Sequence, residues 1–469
     1  MAISDSALSA LRESLTASTI VTPLDEGYTD AIRRWSDTGI KQASAVVKPS
    51  TVEDIVTALK WAQAHKIDLA IKAGGHSVSG TSSSAGGLVI DLTRLNSVTV
   101  DPATKTARVG GGAVWKDVDE ALAEHGLAAV GGTVNHTGVG GLTLGGGYGW
   151  LSGQYGLTID NLLSAKVVLA DGSIVTASES DNADLFWGLR GAGYNFGVVV
   201  EFTFQAYEQS TPVYAGIVAF TPDKVESVIS VLNTLLTDKP DPRSGAITIF
   251  ARPPGAPVPM VNVLVFYNGS ESEGNTRFAD LLSLDPVVNM ISMIPYSQVN
   301  ALQNPMATYG DRKSFKGIFF NPPLSPSFAR EVLAEFTEKV QSDADLGASA
   351  ILFEFYDMEK VDAVPRGATA FASRGTTQNG IITLRWSDKE KDGEHRAWAR
   401  GVQQKYKERL DREEKGVGAR GVPQYINYAE PGDSVVGNIY GENFDRLREL
   451  KRKYDPTNVF HKMHPISMD

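Results

Sequence analysis

Cysteine is absent from the 469-residue sequence. Its absence excludes disulfide bonds, thiolate metal ligands and cysteine nucleophiles, and it leaves the redox compartment open. The seven histidines show no metal-ligand spacing, so we expect no bound metal. The sequence thus offers neither a thiol nor a metal centre as its reactive group.

Positive charge and long apolar runs are also scarce. The chain has 44 Lys and Arg residues against 55 Asp and Glu residues, which gives a net charge of −11. A nucleic acid or an anionic membrane would require a basic surface, so this balance argues against both partners. No apolar run has membrane-spanning length, and residues 1–6 lack the basic and apolar regions of a leader. We expect a soluble protein, cytoplasmic as written, or secreted if a signal peptide was removed.

The most informative feature present is a pair of glycine-rich loops. The first, Lys72–Gly80, reads KAGGHSVSG, and the second, Gly138–Gly149, reads GVGGLTLGGGYG. Glycine permits positive φ angles and a close approach of the backbone to a ligand, and successive exposed N–H groups form an anion site. Two such loops predict a large dinucleotide held along its whole length. His76, within the first loop, is a possible nucleophile.

The pattern of predicted elements indicates an α+β fold. Up to residue 207, short helices are mixed with hairpins and strands, which is not typical of a regular doubly wound sheet. One of these helices begins at a predicted capping box, Ser50–Glu53. From about Thr211, strands such as Ile351–Tyr356 alternate with helices and indicate an antiparallel sheet covered by helices.

Four specific runs, two of them within the glycine loops, follow one another along the chain. They are Gly74–Ser77 (GGHS), the loop Gly138–Gly149, the run Asp184–Val199, and a C-terminal set at Tyr425–Tyr428, Tyr440–Asn443 and Lys453–Phe460. Together they resemble the berberine-bridge-enzyme-like flavoproteins of the vanillyl-alcohol-oxidase superfamily, which have a PCMH-type FAD-binding domain. A single glycine motif would be weak evidence, but four in this order are specific.

The resemblance covers about residues 40–208 and 422–462 and implies a two-part FAD-binding domain. We expect this domain at residues 1–208, with its core at about 40–208. An inserted substrate domain is expected at 209–415, and the segment 416–469 is expected to return to the FAD domain. The middle of the chain matches the family only in its general pattern of strands and helices, and that part would shape the substrate pocket.

The cofactor implied by the resemblance is FAD, bonded through its 8α-methyl group to His76. Otherwise His76 would cap the loop or bind phosphate. Many members add a second link from a cysteine four residues before the second loop, where this chain has Val134, so we expect a monocovalent cofactor. The cofactor-binding residues expected from the motifs are Ala73, Gly74, Gly75, His76, Ser77, Thr133, Thr137, Gly138, Gly140, Gly141, Gly146, Gly147, Tyr148, Val199 and Asn427.

Three residues are candidates for handling the substrate proton. The resemblance implies that Tyr425 is the base, and its segment reads as a strand in which Tyr425 and Tyr428 face opposite sides. A free tyrosine has a pKa of about 10 and needs a partner near neutrality. Glu354 stands where some carbohydrate-oxidising relatives have such an acidic partner. His136 would transfer protons or bind substrate, or else lie packed under the loop.

Glu354 also has a structural alternative, which is an ion pair with Arg374 or Arg385. Taken together, the resemblance and these candidate residues predict an FAD-dependent oxidase. Such an enzyme would remove hydride from a small alcohol, amine or secondary metabolite and pass the electrons to O2, which gives H2O2. The alternatives are an oligosaccharide oxidase, a dehydrogenase with another acceptor, and a flavin-binding protein whose catalysis has decayed. A monomer or homodimer is expected, and fold analogy does not name the substrate.

Overall fold

The structure is a computed structural model that describes Ile3 and residues 5–413, 424–430 and 436–468. None of the helices in these ranges combines the length and apolarity needed to span a bilayer. The helices are α1 Asp5–Ser14, α2 Tyr28–Ile32, α3 Val52–Ala64, α4 Trp115–Ala123, α5 Val139–Thr143, α6 Ser152–Tyr155, α7 Ala183–Ala192, α8 Val225–Thr237, α9 Glu271–Arg277, α10 Ala279–Leu282, α11 Tyr296–Val299, α12 Pro326–Ser342, α13 Glu359–Asp362, α14 Asp392–Glu413, α15 Val436–Tyr440 and α16 Phe444–Tyr454.

The strands divide between two small sheets near the N-terminus, a two-stranded ribbon and one large sheet. They are β1 Thr19–Val21, β2 Ala45–Lys48, β3 Leu69–Lys72, β4 Leu88–Asp91, β5 Val98–Asp101, β6 Thr106–Gly110, β7 Leu127–Ala128, β8 Leu162–Val168, β9 Ile174–Ser178, β10 Val198–Gln205, β11 Tyr207–Glu208, β12 Val213–Phe220, β13 Ser244–Ala251, β14 Met260–Tyr267, β15 Val288–Asn289, β16 Ser292–Ile294, β17 Arg312–Phe320, β18 Ala350–Tyr356 and β19 Gln378–Trp386.

The N-terminal sheets hold the two glycine loops. The first sheet has the order β1-β2-β4-β3, with β4 parallel to both β2 and β3. The second is antiparallel, with the order β5-β6-β10-β8-β9. The first glycine loop follows β3 directly, and the second contains α5. The helix α3 begins one residue later than the capping box predicts, because Thr51, not Ser50, accepts the N–H of Asp54 at 3.2 Å.

The large sheet is antiparallel and has eight strands. Its order is β15-β12-β14-β13-β18-β19-β17, and β16 also pairs with β12. One face packs on α8, α12 and α14 through alternate residues such as Phe250, Phe353 and Ile382. The other face turns toward the glycine loops. This mixture of helices with mainly antiparallel sheets confirms the α+β prediction.

The C-terminal segment returns to the first part of the chain. Helix α16 packs beside α7, and residues from both helices share one buried cluster. The strands of the large sheet lie only between Val213 and Trp386. The three divisions of the chain, with their boundaries, stay a prediction.

A buried lysine fastens the returning segment. The ammonium group of Lys451 has no exposed surface; it donates to Asp455 Oδ2 at 2.6 Å and to the carbonyl oxygens of Asn195 at 2.9 Å and Phe460 at 2.7 Å. Its partner Asp455 also accepts the N–H groups of Val459 and Phe460. The fully buried pair thus joins α16, the tail after it and the turn after α7.

Lys451→Met is expected to lower the free energy of unfolding by about 3–5 kcal/mol, because it leaves the Asp455 carboxylate buried without its counter-ion. The matched control is Lys453→Met two residues away, whose exposed pair with Asp184 is expected to contribute about 1 kcal/mol or less. Chemical unfolding followed by tryptophan fluorescence measures both. Equal midpoints for the two variants would show that the buried pair does not hold the segment.

Candidate active site

A deep cavity of about 970 Å³ lies between the two glycine loops and the inner face of the large sheet. Its lining combines three parts of the chain that are far apart in sequence: the two loops, alternate residues of β12–β19, and the segment around Tyr425. One end is lined by backbone and small side chains. The other end is lined by aliphatic and aromatic side chains and includes the acid Glu354.

The two glycine loops meet backbone to backbone. A Cβ atom on Gly74 would lie 2.4 Å from the backbone nitrogen of Gly138, and a Cβ on Gly138 would lie 2.5 Å from the backbone nitrogen of Gly74. Neither distance is possible for a real side chain, so both positions require glycine. Gly75 also requires it, because its φ of +69° lies in the left-handed region. These loops form a narrow backbone-lined cradle that suits an extended pyrophosphate.

His76 is held in a stack of aromatic rings at the edge of this cradle. Its ring lies parallel to Trp35, with centroids 4.6 Å apart and planes at 11°. On its other side, His76 Nε2 shares a hydrogen bond of 2.7 Å with His136 Nδ1. Burial and the nearby His136 and Lys313 charges hold the pKa of His76 well below its usual range. The ring is therefore neutral at physiological pH, with Nδ1 as its remaining nitrogen.

Lys313 lies behind this stack and was not found from the sequence. Its ammonium group donates to the carbonyl oxygen of Trp35 at 2.9 Å and to that of Gly310, and it lies 4.5 Å from the centre of the Trp35 ring. Burial lowers the pKa of Lys313 to about 8. Trp35 was also missed, because nothing in its local sequence marks a residue that stacks on a ring 41 positions away.

The predicted cofactor-binding residues line the cavity, with two exceptions. Gly146 and Gly147 do not reach it; both have positive φ angles, and added Cβ atoms there would meet Phe371 and Thr158. They shape the turn after α5 rather than its ligand face. Val134, which replaces the second attachment residue of many relatives, does line the cavity. His136 lies behind His76 and is absent from the lining.

The segment Tyr425–Tyr428 is not the predicted strand. Residues Ile426–Tyr428 form one turn of 3-10 helix, so the period of two does not apply. Tyr425, Asn427 and Tyr428 all line the cavity, while Ile426 packs in the core. The rings of the two tyrosines lie 4.9 Å apart, centre to centre. The expectation that these tyrosines face opposite sides is therefore wrong.

Hydrogen-bond donors converge on the hydroxyl oxygen of Tyr425. The side chain of Asn427 donates to it at 2.9 Å, and the backbones of Gly147 and Tyr148 also stabilise it. Burial raises the pKa of Tyr425, and these donors oppose the rise. Asn427 also donates to the carbonyl oxygen of Leu142, which fixes this segment to the second glycine loop. In the described part of the chain, the Tyr425 hydrogen has no acceptor and is left for a ligand.

Glu354 is the acid at the aliphatic end of the cavity. It is 4% exposed, and its Oε1 atom accepts the Tyr428 hydroxyl at 2.7 Å, so the predicted partner Tyr425 is replaced by Tyr428. Burial raises the pKa of Glu354 to about 7, against opposing hydrogen bonds from Tyr428 and Asn379. The alternative ion pairs do not form, because Arg374 pairs with Asp160 and Arg385 with Asp311.

Comparison with known proteins agrees with this arrangement. Residues 43–178 match the family described as FAD binding domain, and residues 424–467 match the family described as berberine and berberine like. The chain is 35% identical over 453 residues to the FAD-linked oxidoreductase pgmH of Aspergillus terreus, covering 94% of this chain and 92% of that protein.

Two further similarities concern proteins with named substrates. Over 461 residues the chain is 29% identical to (R)-6-hydroxynicotine oxidase of Paenarthrobacter nicotinovorans, covering 95% of this chain and 96% of that protein. The structure is also similar to the xylooligosaccharide oxidase of Myceliophthora thermophila, with a TM-score of 0.82, 26% identity and 99% of both chains covered.

Gly138→Ala is expected to lower the ratio of FAD to protein, because the new methyl group pushes the loops apart at their contact and overpacking of this kind costs about 1–3 kcal/mol. Gly401→Ala is the matched control, since its Cβ in α14 would meet nothing within 4 Å. The absorbance of bound flavin relative to protein gives the result. A Gly138→Ala protein with the normal ratio would contradict the proposed cradle.

Proposed function

The chain belongs to the berberine-bridge-enzyme-like FAD-linked oxidoreductases, and from this premise we propose that it is an oxidase of small organic molecules with FAD bonded to His76 alone. The observation that carries the proposal is one cavity that joins the glycine cradle, the neutral His76 ring and a buried tyrosine–glutamate pair. Each of these parts suits one requirement of hydride removal: a bound cofactor, a fixed attachment and a proton acceptor.

The chain's residues fit FAD along the length of the cavity. The backbone groups beside the contact of Gly74 with Gly138 would hold the pyrophosphate, as expected for a nest of N–H groups. His76 Nε2 is held by His136, so Nδ1 is the atom we propose for the covalent bond. Val134 offers an aliphatic side chain where a second link would need a thiol, which supports a single attachment.

Bound FAD supplies the acceptor for a hydride. The protein has to hold the donor carbon in place and remove the accompanying proton. Tyr425 is the hydroxyl that we propose to contact the substrate oxygen or nitrogen, because its oxygen is fixed by Asn427 and its hydrogen is free. Glu354 is the better final proton acceptor, since its pKa of about 7 lies near working pH whereas burial raises that of Tyr425.

The role proposed for His136 differs from that of a proton shuttle to substrate. Its Nδ1 atom faces His76, and its ring also lies 5.3 Å from that of Tyr309. We propose that His136 positions the ring of His76 and does not exchange protons with the substrate. We therefore propose that the substrate chemistry depends on Tyr425, Tyr428 and Glu354.

Oxygen is the proposed acceptor that regenerates the cofactor, and a dehydrogenase is the alternative. Both relatives with named substrates are oxidases by name, which favours oxygen here. The intact pair of Tyr428 and Glu354 argues against a binding protein with decayed catalysis, because a buried acid with no catalytic use costs stability. Peroxide formed per substrate oxidised in air, compared with dye reduction without air, separates oxidase from dehydrogenase.

The flavin is expected to stay on the protein after acid precipitation, and a tryptic digest should contain one flavin-bearing peptide, that with His76. His76→Ala should release all flavin, because the chain has no cysteine for another link. His65→Ala, at the exposed end of α3, is the control and should keep the bond. Fluorescence of the denatured protein and peptide mass spectrometry measure this. Complete release from the unaltered protein would refute the linkage.

The rate of anaerobic flavin reduction is expected to rise with pH through about 7, because Glu354 accepts a proton only as the carboxylate. Glu354→Gln should remove this rise. Tyr428→Phe should move it to higher pH, since the Tyr428 hydrogen bond lowers the pKa of Glu354. Tyr425→Phe should slow reduction by about 10² at every pH.

Single-turnover stopped-flow absorbance isolates this reduction step from reoxidation. The four proteins should keep equal flavin content, which controls for misfolding. A pH profile in Glu354→Gln that matches the unaltered enzyme would assign the proton to another group.

A further inference from the structure

We propose that the substrate is a compact apolar amine that enters as its ammonium cation and is bound by Oε2 of Glu354. This inference rests on the proposed function and narrows its substrate class. It follows from the aliphatic inner face of the large sheet around Glu354. It also follows from the lack of a cation beside Glu354 among the residues that the structure describes.

The inner face of the sheet around Glu354 is an aliphatic wall. Strand pairing places Ile247 directly opposite Glu354, and Ile249 opposite Leu352. Leu352 in turn faces Ile381 on the next strand. These residues line the cavity, as does Ile217 of β12. Branched aliphatic side chains favour an apolar ligand body, because each polar group pressed against them would lose its hydrogen bonds to water.

Three polar side chains that line the cavity are already engaged. The side-chain amide of Asn262 donates to the carbonyl oxygen of Ile249 at 3.0 Å. The guanidinium group of Arg385 pairs with Asp311 at 2.6 Å, and the ammonium group of Lys313 donates to backbone oxygens. A carbohydrate presents many hydroxyl groups and requires a matching set of partners. The aliphatic residues around Glu354 do not provide such a set, so this part of the wall favours a ligand with few polar groups.

Glu354 provides the acidic contact of this region, beside the Tyr425 hydroxyl, whose hydrogen is also left for a ligand. Its Oε1 atom accepts the Tyr428 hydroxyl, whereas Oε2 is buried and, apart from the nearby side chain of Asn379, has no partner among the described residues. Arg374 cannot serve as its counter-ion, because it pairs with Asp160 at 2.6 Å. A buried carboxylate without a counter-ion gains more from a cationic N–H donor than from a neutral hydroxyl. The geometry therefore favours an ammonium group over an alcohol.

The same contact gives the reaction its proton balance. The ammonium N–H bond breaks and an O–H bond forms on Glu354, which leaves a neutral amine with a free electron pair. The carbon next to that nitrogen then loses its hydrogen with two electrons, as hydride, to FAD, and a C=N bond forms. The product is an iminium ion, which water can hydrolyse after release. Tyr425, whose oxygen is fixed, orients the nitrogen during this step.

The pH dependence of binding follows from the groups around Glu354. Tyr148, Tyr356, Tyr425 and Tyr428 face it from the second glycine loop, its own strand and the 3-10 turn, and burial raises the pKa of each, so all stay neutral. Asn379 of β19 does not titrate. Glu354 is thus the group that gains charge near neutrality, and amine binding should strengthen as pH rises through about 7.

The test titrates the oxidised holoenzyme, without oxygen, with two probes of matched shape: N-methylbenzylamine and its neutral counterpart benzyl methyl ether. Early changes in the flavin spectrum report binding before any reduction. At pH 8 the amine is expected to bind about tenfold or more tightly than the ether, as for a charged hydrogen bond. Its Kd should fall about tenfold between pH 6 and pH 8, the range over which Glu354 ionises. Xylobiose should produce no change.

Two variants assign the effect to Glu354. E354Q should bind the amine and the ether equally and lose the pH dependence, whereas E354D should keep a preference for the amine; both must retain the flavin of the unaltered enzyme. Equal affinities in the unaltered enzyme, a preference that survives in E354Q, or no binding of either probe would overturn the inference. Flavin reduction by an alcohol together with equal probe affinities would reject the amine class and leave the proposed oxidase intact.

Discussion

The contact between Gly74 and Gly138 is the constraint on which the rest of the site depends. Two backbones approach there more closely than any side chain allows. Because the loops are about 60 residues apart in sequence, their contact brings His76 against His136, with 2.7 Å between ring nitrogens. Trp35 closes the opposite face of the His76 ring. The orientation of His76, the proposed attachment residue, is thus set by glycine backbones that carry no chemistry themselves.

The second loop passes this constraint on to Tyr425, Tyr428 and Glu354. Asn427 bonds to the carbonyl oxygen of Leu142 in that loop and to the hydroxyl oxygen of Tyr425. Tyr428, one residue after Asn427, reaches across to Glu354 on the large sheet. Hydrogen bonds of fixed geometry therefore connect the cradle to the acid through a single turn of 3-10 helix. The cradle and Glu354 are therefore held in a fixed mutual orientation. Such preorganisation is the main contribution of the protein to catalysis in cofactor-dependent reactions.

Local patterns in the sequence predicted the parts of this site that depend on backbone chemistry. The glycine loops, the antiparallel sheet and the strand at Ile351–Tyr356 follow from residue type and spacing, and the structure has them, the strand as β18. The period-of-two argument failed at Tyr425–Tyr428, because a four-residue segment cannot distinguish a strand from a tight turn. Alternation around Glu354 would have found the aliphatic wall, since Leu352 is two residues away on the same face. No local pattern marks Trp35 or Lys313, whose roles arise only from tertiary contact.

The acid at the end of this chain of contacts is costly to the fold. Glu354 has a pKa of about 7 in the folded protein, which is above its ordinary value. The Glu354 side chain therefore ionises more easily in the unfolded chain than in the folded protein. The contribution of Glu354 to the free energy of unfolding is largest at low pH. It falls by about 3 kcal/mol as pH rises from the ordinary pKa of a glutamate through about 7. A hydrophobic residue at this position would avoid the loss. The aliphatic wall that imposes it also excludes water, which strengthens every charge interaction formed in the cavity. A bound cation would restore the stability that is lost when the Glu354 carboxylate is buried. The desolvation that destabilises the ligand-free protein therefore favours the binding of a cationic ligand.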